Sequence, residues 1–294
     1  MSLPIPHINR TPSVIKRSGS ASSLGNGSIE HEHDLAPVIR GSRRGSTSSV
    51  NTSAATAPLS LAQPPIAHAV AQTTLYAGKS HKATVLPTHA LMTASPYFQK
   101  LLSETPEPLP EQTTFEDADE ASMALFGHYV TGKKLGGPTD FHSCGHYLGL
   151  YVLGQKFGCE GLENDVMDHT RTYYHTSTMT ASPFRCQYIY TYTPGPNLMR
   201  KFLISTAAWR ALYDHTSKPE HNDETTNTDT PGLSTAMMEV LAKDPIMSAD
   251  FMHALIEFGR QVAGDPREGG RCVWHVHEGT SKCVEEGLEP WEKD

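Results

Sequence analysis

The segment CVWHVHEGTSKC sets two thiols and two imidazoles within twelve residues, Cys272 to Cys283, in the spacing Cys-x2-His-x-His-x5-Cys. Two thiolates and two imidazoles are the complement of a closed tetrahedral zinc site, so Cys272, His275, His277 and Cys283 are candidate metal ligands and zinc the candidate ion. The stretch between His277 and Cys283 contains Gly279 and is long enough for the second cysteine to fold back. In an extended backbone His275 and His277 project to the same side, which permits joint ligation. It equally permits two exposed histidines on a polar tail with reduced thiols, and the spacing is not that of a standard zinc finger.

Other patterns point to chemistry less well. Gly78-Lys79-Ser80 has the ending of a phosphate-binding loop, but Thr73 stands where that loop needs glycine, and an apolar β-branched run follows where it needs a helix; a hairpin turn accounts for it. There is no Gly-x-Ser-x-Gly elbow and no His-Glu-x-x-His helix. The carboxylate pairs Asp117/Asp119 and Glu285-Glu286 read as helix caps and solvated faces. The run Tyr188-Ile189-Tyr190-Thr191-Tyr192 alternates and could stack bases, but few cations flank it, so core packing is expected. These readings predict a chain that is not an enzyme.

Stepping along the chain, residues 1 to 65 hold 13 serines and no aromatic residue or cysteine, too little apolar area to offset the entropy of ordering. A disordered Ser/Thr/Pro/Gly tail is expected over residues 1–69. It contains Arg43-Arg44-Gly45-Ser46, the kind of site basophilic kinases use, so Ser46 is a candidate phosphorylation site. Of the net charge of −8, residues 1 to 65 contribute six Lys/Arg against three Asp/Glu, a net of +3, which leaves −11 for the remainder. An acidic folded part argues against a nucleic-acid surface. No run approaches the ~20 apolar residues that cross a bilayer, so no membrane partner is expected. Five widely spaced cysteines and the lack of a signal-peptide pattern at the N-terminus lead to an expected intracellular location, cytoplasm or nucleus.

Thr73 to Gly78 and Ala83 to Thr88 are short apolar runs around a polar turn, which predicts a hairpin. Helices follow: one carrying Leu91, a second starting at Ser95-Pro96 and carrying Phe98, Leu101 and Leu102, then a Pro/Glu-rich linker from Glu104 to Gln112 and a short strand over Thr113 to Phe115. Asp117 with Glu120 three residues on predicts a capped helix ending at Thr131-Gly132, with Met123, Phe126 and Val130 inward. A loop is expected from Gly136 to Gly145. Beyond it, Tyr147, Leu150, Tyr151 and Phe157, then Leu162, Val166 and Tyr173, stand at helical spacing, as do Phe202, Trp209 and Leu212, and Phe251, Leu255, Phe258 and Val262. Thr216 to Pro231 is a polar loop. The expected class is α+β.

The segment THALMTASPYFQKLL, Thr88 to Leu102, followed by an acidic turn, a helix and YVTGKKL from Tyr129, resembles the BTB/POZ domain, with His89, Leu91, Ser95, Pro96, Tyr97, Phe98, Tyr129, Thr131 and Gly132 at the family's positions. The likeness continues through YLGLYVLGQKFGCEGLENDVMD, and with Ala207-Ala208-Trp209 further on the chain is similar to single-BTB proteins of filamentous fungi. It implies a core over 70–175 with a short three-stranded sheet capped by helices, a helical extension over 176–265, and a Cys/His-containing tail over 266–294. His89 would then sit at a strand-to-helix junction in a structural role. The resemblance further implies a protein-interaction module that associates with itself and docks on a cullin-type ubiquitin-ligase scaffold as an adaptor, with Leu109 and Glu111 of Leu109-Pro110-Glu111 as the partner-binding residues. The alternative is a zinc-binding or transcription-linked regulatory protein that uses the Cys/His tail.

Overall fold

The computed structural model describes residues 71–105, 107–213, 218–219, 233–283 and 289–292, so the N-terminal tail with Ser46, and most of the polar loop after Thr216, lie outside the described residues.

The hairpin forms because two β-prone runs flank residues that can turn. Strands β1 (Gln72–Ala77) and β2 (Lys82–Pro87) pair antiparallel, Gln72 opposite Pro87 and Ala77 opposite Lys82. Gly78 turns the chain at φ 66°, where glycine carries no Cβ penalty, and its N–H donates to Phe115 O. Helix α1 (Thr88–Ala94) stops at Ser95 because Pro96 pushes the preceding residue out of the helical region; Ser95 is extended at φ −137°, ψ 116°. That conformation makes Ser95 the cap of α2 (Pro96–Glu104): its hydroxyl accepts from Phe98 N at 3.3 Å and donates to Phe157 O at 2.8 Å.

The expected linker contains one helical turn, α3 (Pro110–Thr113), in which Gln112 Oε1 accepts the Leu109 N–H at 2.8 Å. Strand β3 (Thr114–Phe115) then joins β1 in parallel, giving the sheet order β2-β1-β3. Helix α4 (Glu120–Val130) is capped by Asp119, not Asp117. The Asp119 frame wins because Oδ2 accepts from Ser122 N and Oγ, both at 2.9 Å, and contacts His146 Nδ1 at 2.7 Å, while Asp117 pairs with Lys156 on the surface. The loop expected over 136–145 ends early: Asp140 and Ser143 cap each other and start α5 (Phe141–Phe157).

Gly158, left-handed at φ 66°, turns the chain from α5 into α6 (Glu160–Thr176), and the two helices pack side by side. After β4 (Met179–Thr180) come α7 (Pro183–Tyr192) and α8 (Leu198–Leu212); β5 (Lys218–Pro219) pairs in parallel with β4. The tyrosine run lies on α7 as a helix, with Tyr190 buried and Tyr192 exposed. Helices α9 (Thr235–Lys243) and α10 (Pro245–Gly259) complete the bundle, α10 packing on α8. The apolar stripes are shorter than the spacing predicts. Leu212 is exposed at the end of α8, and Val262 is exposed because α10 ends at Gly259 and Gln261 turns left-handed at φ 56°. The class is α+β, mostly helical, with one small three-stranded sheet. Among the described residues no helix is long and apolar enough to cross a membrane.

One buried cluster runs from Leu75 to Trp274. At its sheet end Phe157 is the hub: its ring lies 4.8 Å from Phe98, 4.9 Å from Phe126 and 5.0 Å from Phe115. Phe98 is fully buried, whereas Tyr97 beside it is 39 % exposed. Phe98→Ala should therefore cost about 3–5 kcal/mol through lost burial and the cavity left against Phe157, and Tyr97→Ala much less. Urea unfolding of the two variants checks this, equal losses being the contrary result.

Candidate metal centre

Helix α6 carries four polar side chains, Glu160, Asn164, Asp168 and Arg171, at spacings of four, four and three, so they share one face. Leu162, Val166 and Tyr173 occupy the other face and hold the helix on the core. The segment from Gly269 to Cys283 runs antiparallel along the polar face and is gripped at each step. Arg171 Nη2 donates to Gly269 O and to Glu289 Oε2. Both Arg271 Nε, at 2.7 Å, and Nη2 donate to Asp168 Oδ2. Asn164 makes two bonds to the Val276 backbone, Nδ2 to its O at 2.9 Å and Oδ1 from its N at 2.8 Å. Glu160 accepts from Gly279 N, Thr280 N and the Thr280 hydroxyl.

Apolar contacts reinforce the grip. Trp274, in the short 3-10 helix Arg271–Trp274, is 6 % exposed and meets Phe202 of α8 edge-on at 5.4 Å. The Arg171 guanidinium lies over both Trp274 and Trp291, and Trp291 stacks on His175 at 3.8 Å. The Cys/His segment is thus a packed part of the fold.

This packing gathers the candidate ligands. Cys272 Sγ is 3.2 Å from His277 Nε2, and Cys283 Sγ is 3.7 Å from the same nitrogen and 3.0 Å from His275 Nδ1. Donors about 2.3 Å and 2.0 Å from a shared tetrahedral ion would stand about 3.5 Å apart, so the observed separations bracket the ligating distance. The ligand atoms of Cys272, His277 and Cys283 lie within 4.8 Å of one another; His275 stands just outside that group and reaches it through Cys283. These three residues form a group that can hold a metal ion. Neither histidine is exposed: the His275 side chain is 5 % accessible, its Nε2 lying 2.8 Å from Asp168 Oδ1.

The electrostatics fit a cation. Burial, then hydrogen bonding and charge from Cys272, push the Cys283 thiol up, so two adjacent thiolates form at a cost that a dication would remove. Burial also works to raise Asp168, but the bonds from His275 and Arg271 outweigh it and hold the carboxyl below its usual range. All five cysteines are free thiols, and Cys144, Cys159 and Cys186 are buried in the core away from this group.

No family model, curated protein or solved structure matches this chain.

The other sequence candidates lie elsewhere. Leu109 and Glu111 are exposed on the turn of α3, which packs on β1 and β3, whereas the Cys/His segment packs on α6. His89 is exposed on α1. Sequence reasoning missed Glu160, Asn164, Asp168 and Arg171, and also Glu163. Glu163 lines a cavity of about 710 Å³ with Gln155, Asp250, Glu257, Val276 and Glu278. Burial, with the charges of Glu160 and Glu278 and against a hydrogen bond from Gln155, pushes its carboxyl up to about 7.

A raised carboxyl has a definite sign. Below about 4.5 the folded and unfolded chains both hold the proton; between there and about 7 only the unfolded chain releases it, so stability falls as pH rises through this window and the loss is complete above it. Glu163→Gln keeps the neutral shape without the titration. It should be near neutral at pH 4.5 and stabilising by about 1–2 kcal/mol at pH 8, after discounting for partial exposure. Paired denaturant titrations of parent and variant at the two pH values test this, and a gain that does not grow with pH counts against it.

Proposed function

We propose that this chain is a non-enzymatic protein-interaction module whose C-terminal segment, seated on α6 by hydrogen bonds, is held in shape by a structural zinc ion. The observation that carries the reading is the convergence of Cys272, His277 and Cys283, with His275 adjoining, on a segment bonded to α6 at every step. Zinc is the ion of choice for two thiolates and two imidazoles, and four protein ligands close the shell. A closed shell leaves no position for water or substrate, which fits structure rather than catalysis. When bound, the ion would tie Cys272, His275, His277 and Cys283 together in the shape that the side chains of α6 hold, so binding free energy becomes folding free energy of this segment.

The interaction part of the reading rests on element order. A hairpin, a helical corner broken at Ser95-Pro96, a third strand beside the first and a following series of helices is an arrangement that resembles the BTB/POZ core with a helical extension. A more specific reading, adaptor for a cullin-type ubiquitin ligase, is favoured by Leu109, a large apolar side chain 55 % exposed beside the exposed Glu111. Leu109 would fill an apolar groove on the partner and Glu111 would accept charge-assisted bonds at its rim.

Two outcomes follow. Purified protein should hold about one equivalent of zinc by elemental analysis, and Cys272→Ser should abolish it, because losing one thiolate opens the shell; metal well below one equivalent, unchanged by the substitution, retires the site. For the adaptor reading, calorimetry with a cullin N-terminal domain should detect association, and Leu109→Ala with Glu111→Ala should weaken it by about 2 kcal/mol or more. No association at roughly tens of micromolar, where about −6 to −7 kcal/mol of binding would register, removes the adaptor reading and leaves the zinc-locked module standing.

A further inference from the structure

We propose that Asp168 and Glu160, two carboxylates eight residues apart on α6, fix opposite tautomers of the two histidines, so that His275 ligates the metal through Nδ1 and His277 through Nε2. The inference rests on the zinc reading above and goes further by assigning the ligating atom of each imidazole and the residue that selects it.

A carboxylate only accepts, so His275 Nε2, 2.8 Å from Asp168 Oδ1, must carry the proton. A neutral imidazole has one N–H, which leaves Nδ1 bare, and Nδ1 is the atom 3.0 Å from Cys283 Sγ. Asp168 cannot turn away from this duty, because its other oxygen is occupied by Arg271, the residue next to Cys272. One carboxylate therefore holds both ends of the segment from Arg271 to His275.

His277 is set the other way round through a hydroxyl. The Thr280 Oγ1 proton goes to Glu160 Oε1, since Glu160 can only accept. The remaining lone pairs of Thr280 Oγ1 face His277 Nδ1 at 3.5 Å, so Nδ1 is the donor. His277 Nε2 is then the bare nitrogen, and it is the atom 3.2 Å and 3.7 Å from the two sulfurs. Glu160 is itself kept in place by the backbone N–H groups of Gly279 and Thr280. Each histidine thus has one nitrogen on a polar partner tied to α6 and the other on the sulfurs. Partners of this outer kind orient a ligand and typically contribute 10–100-fold to metal affinity.

The test uses the full chain labelled with ¹⁵N-histidine and loaded with zinc or with ¹¹³Cd. Long-range ¹H–¹⁵N spectra should show one metal-bound Nδ1 and one metal-bound Nε2, with ¹¹³Cd coupling to those same two nitrogens. Chelator competition should show zinc affinity roughly 10–100-fold weaker in Asp168→Ala, and less weakened in Asp168→Asn, which keeps an oxygen able to accept from His275 Nε2. Asp168 is buried, so should the alanine variant fail to fold, the asparagine variant and the spectra of the unaltered chain still decide. An unaltered chain that takes up no zinc overturns the metal reading and this inference with it. One equivalent of zinc bound through Nε2 of both histidines, or with equal affinity in the unaltered chain and Asp168→Ala, overturns the tautomer assignment alone.

Discussion

The C-terminal third of this fold depends on one helix face that is polar and yet covered. Glu160, Asn164, Asp168 and Arg171 would form an ordinary solvated stripe on α6 if nothing lay on them. Instead each satisfies a backbone group or a charged side chain of the segment from Gly269 to Thr280. Burying Asp168 and Arg171 without partners would cost several kcal/mol apiece. The segment takes a register that meets these groups, with Arg171 Nε and Nη1 left buried and unbonded, and that register brings Cys272, His275, His277 and Cys283 together. The candidate metal group thus follows from the bonds that seat the segment on α6.

A second constraint positions α6 itself. The Phe98–Phe115–Phe126–Phe157 cluster fixes the end of α5, and Ser95 ties the α1–α2 corner to Phe157 O. Gly158 turns the chain immediately afterwards, and at Gly154 a Cβ would meet Glu163 Cγ at 3.0 Å, so α5 and α6 approach closely there and a larger residue would make the Glu163 side chain shift. Sheet, corner and polar face are thus linked through a few residues around 154–160, and an error in the aromatic cluster would propagate to the orientation of the metal ligands.

What the sequence disclosed and what it hid follow from how local each signal is. The hairpin, the break at Ser95-Pro96 and the inward positions Met123, Phe126, Leu162 and Val166 are encoded within single elements, and periodicity reveals them. The four candidate ligands are legible for the same reason, since they fall within twelve residues. Their partners on α6 are about 100–120 residues away, and at spacings of four, four and three they mimic a solvent-facing stripe, so no local pattern separates gripping residues from wet ones. Capping failed in a different way. Asp117 with Glu120 and Asp119 with Ser122 are competing frames two residues apart, and a tertiary contact, His146 on Asp119, decides between them.

The same reasoning explains why a metal suits this place. Polar bonds alone fix where the segment lies, but the bonds to its backbone are ordinary hydrogen bonds of about 1 kcal/mol each, and those from Glu160 to Gly279 and Thr280 are open to water. Burial and the neighbouring Cys272 oppose ionisation of the Cys283 thiol, and a divalent ion bound there would offset that cost. Removing the ion would then loosen the segment first, because the Phe157 cluster lies at the sheet end of the core while the segment packs on α6 and, through Trp274, on Phe202 of α8.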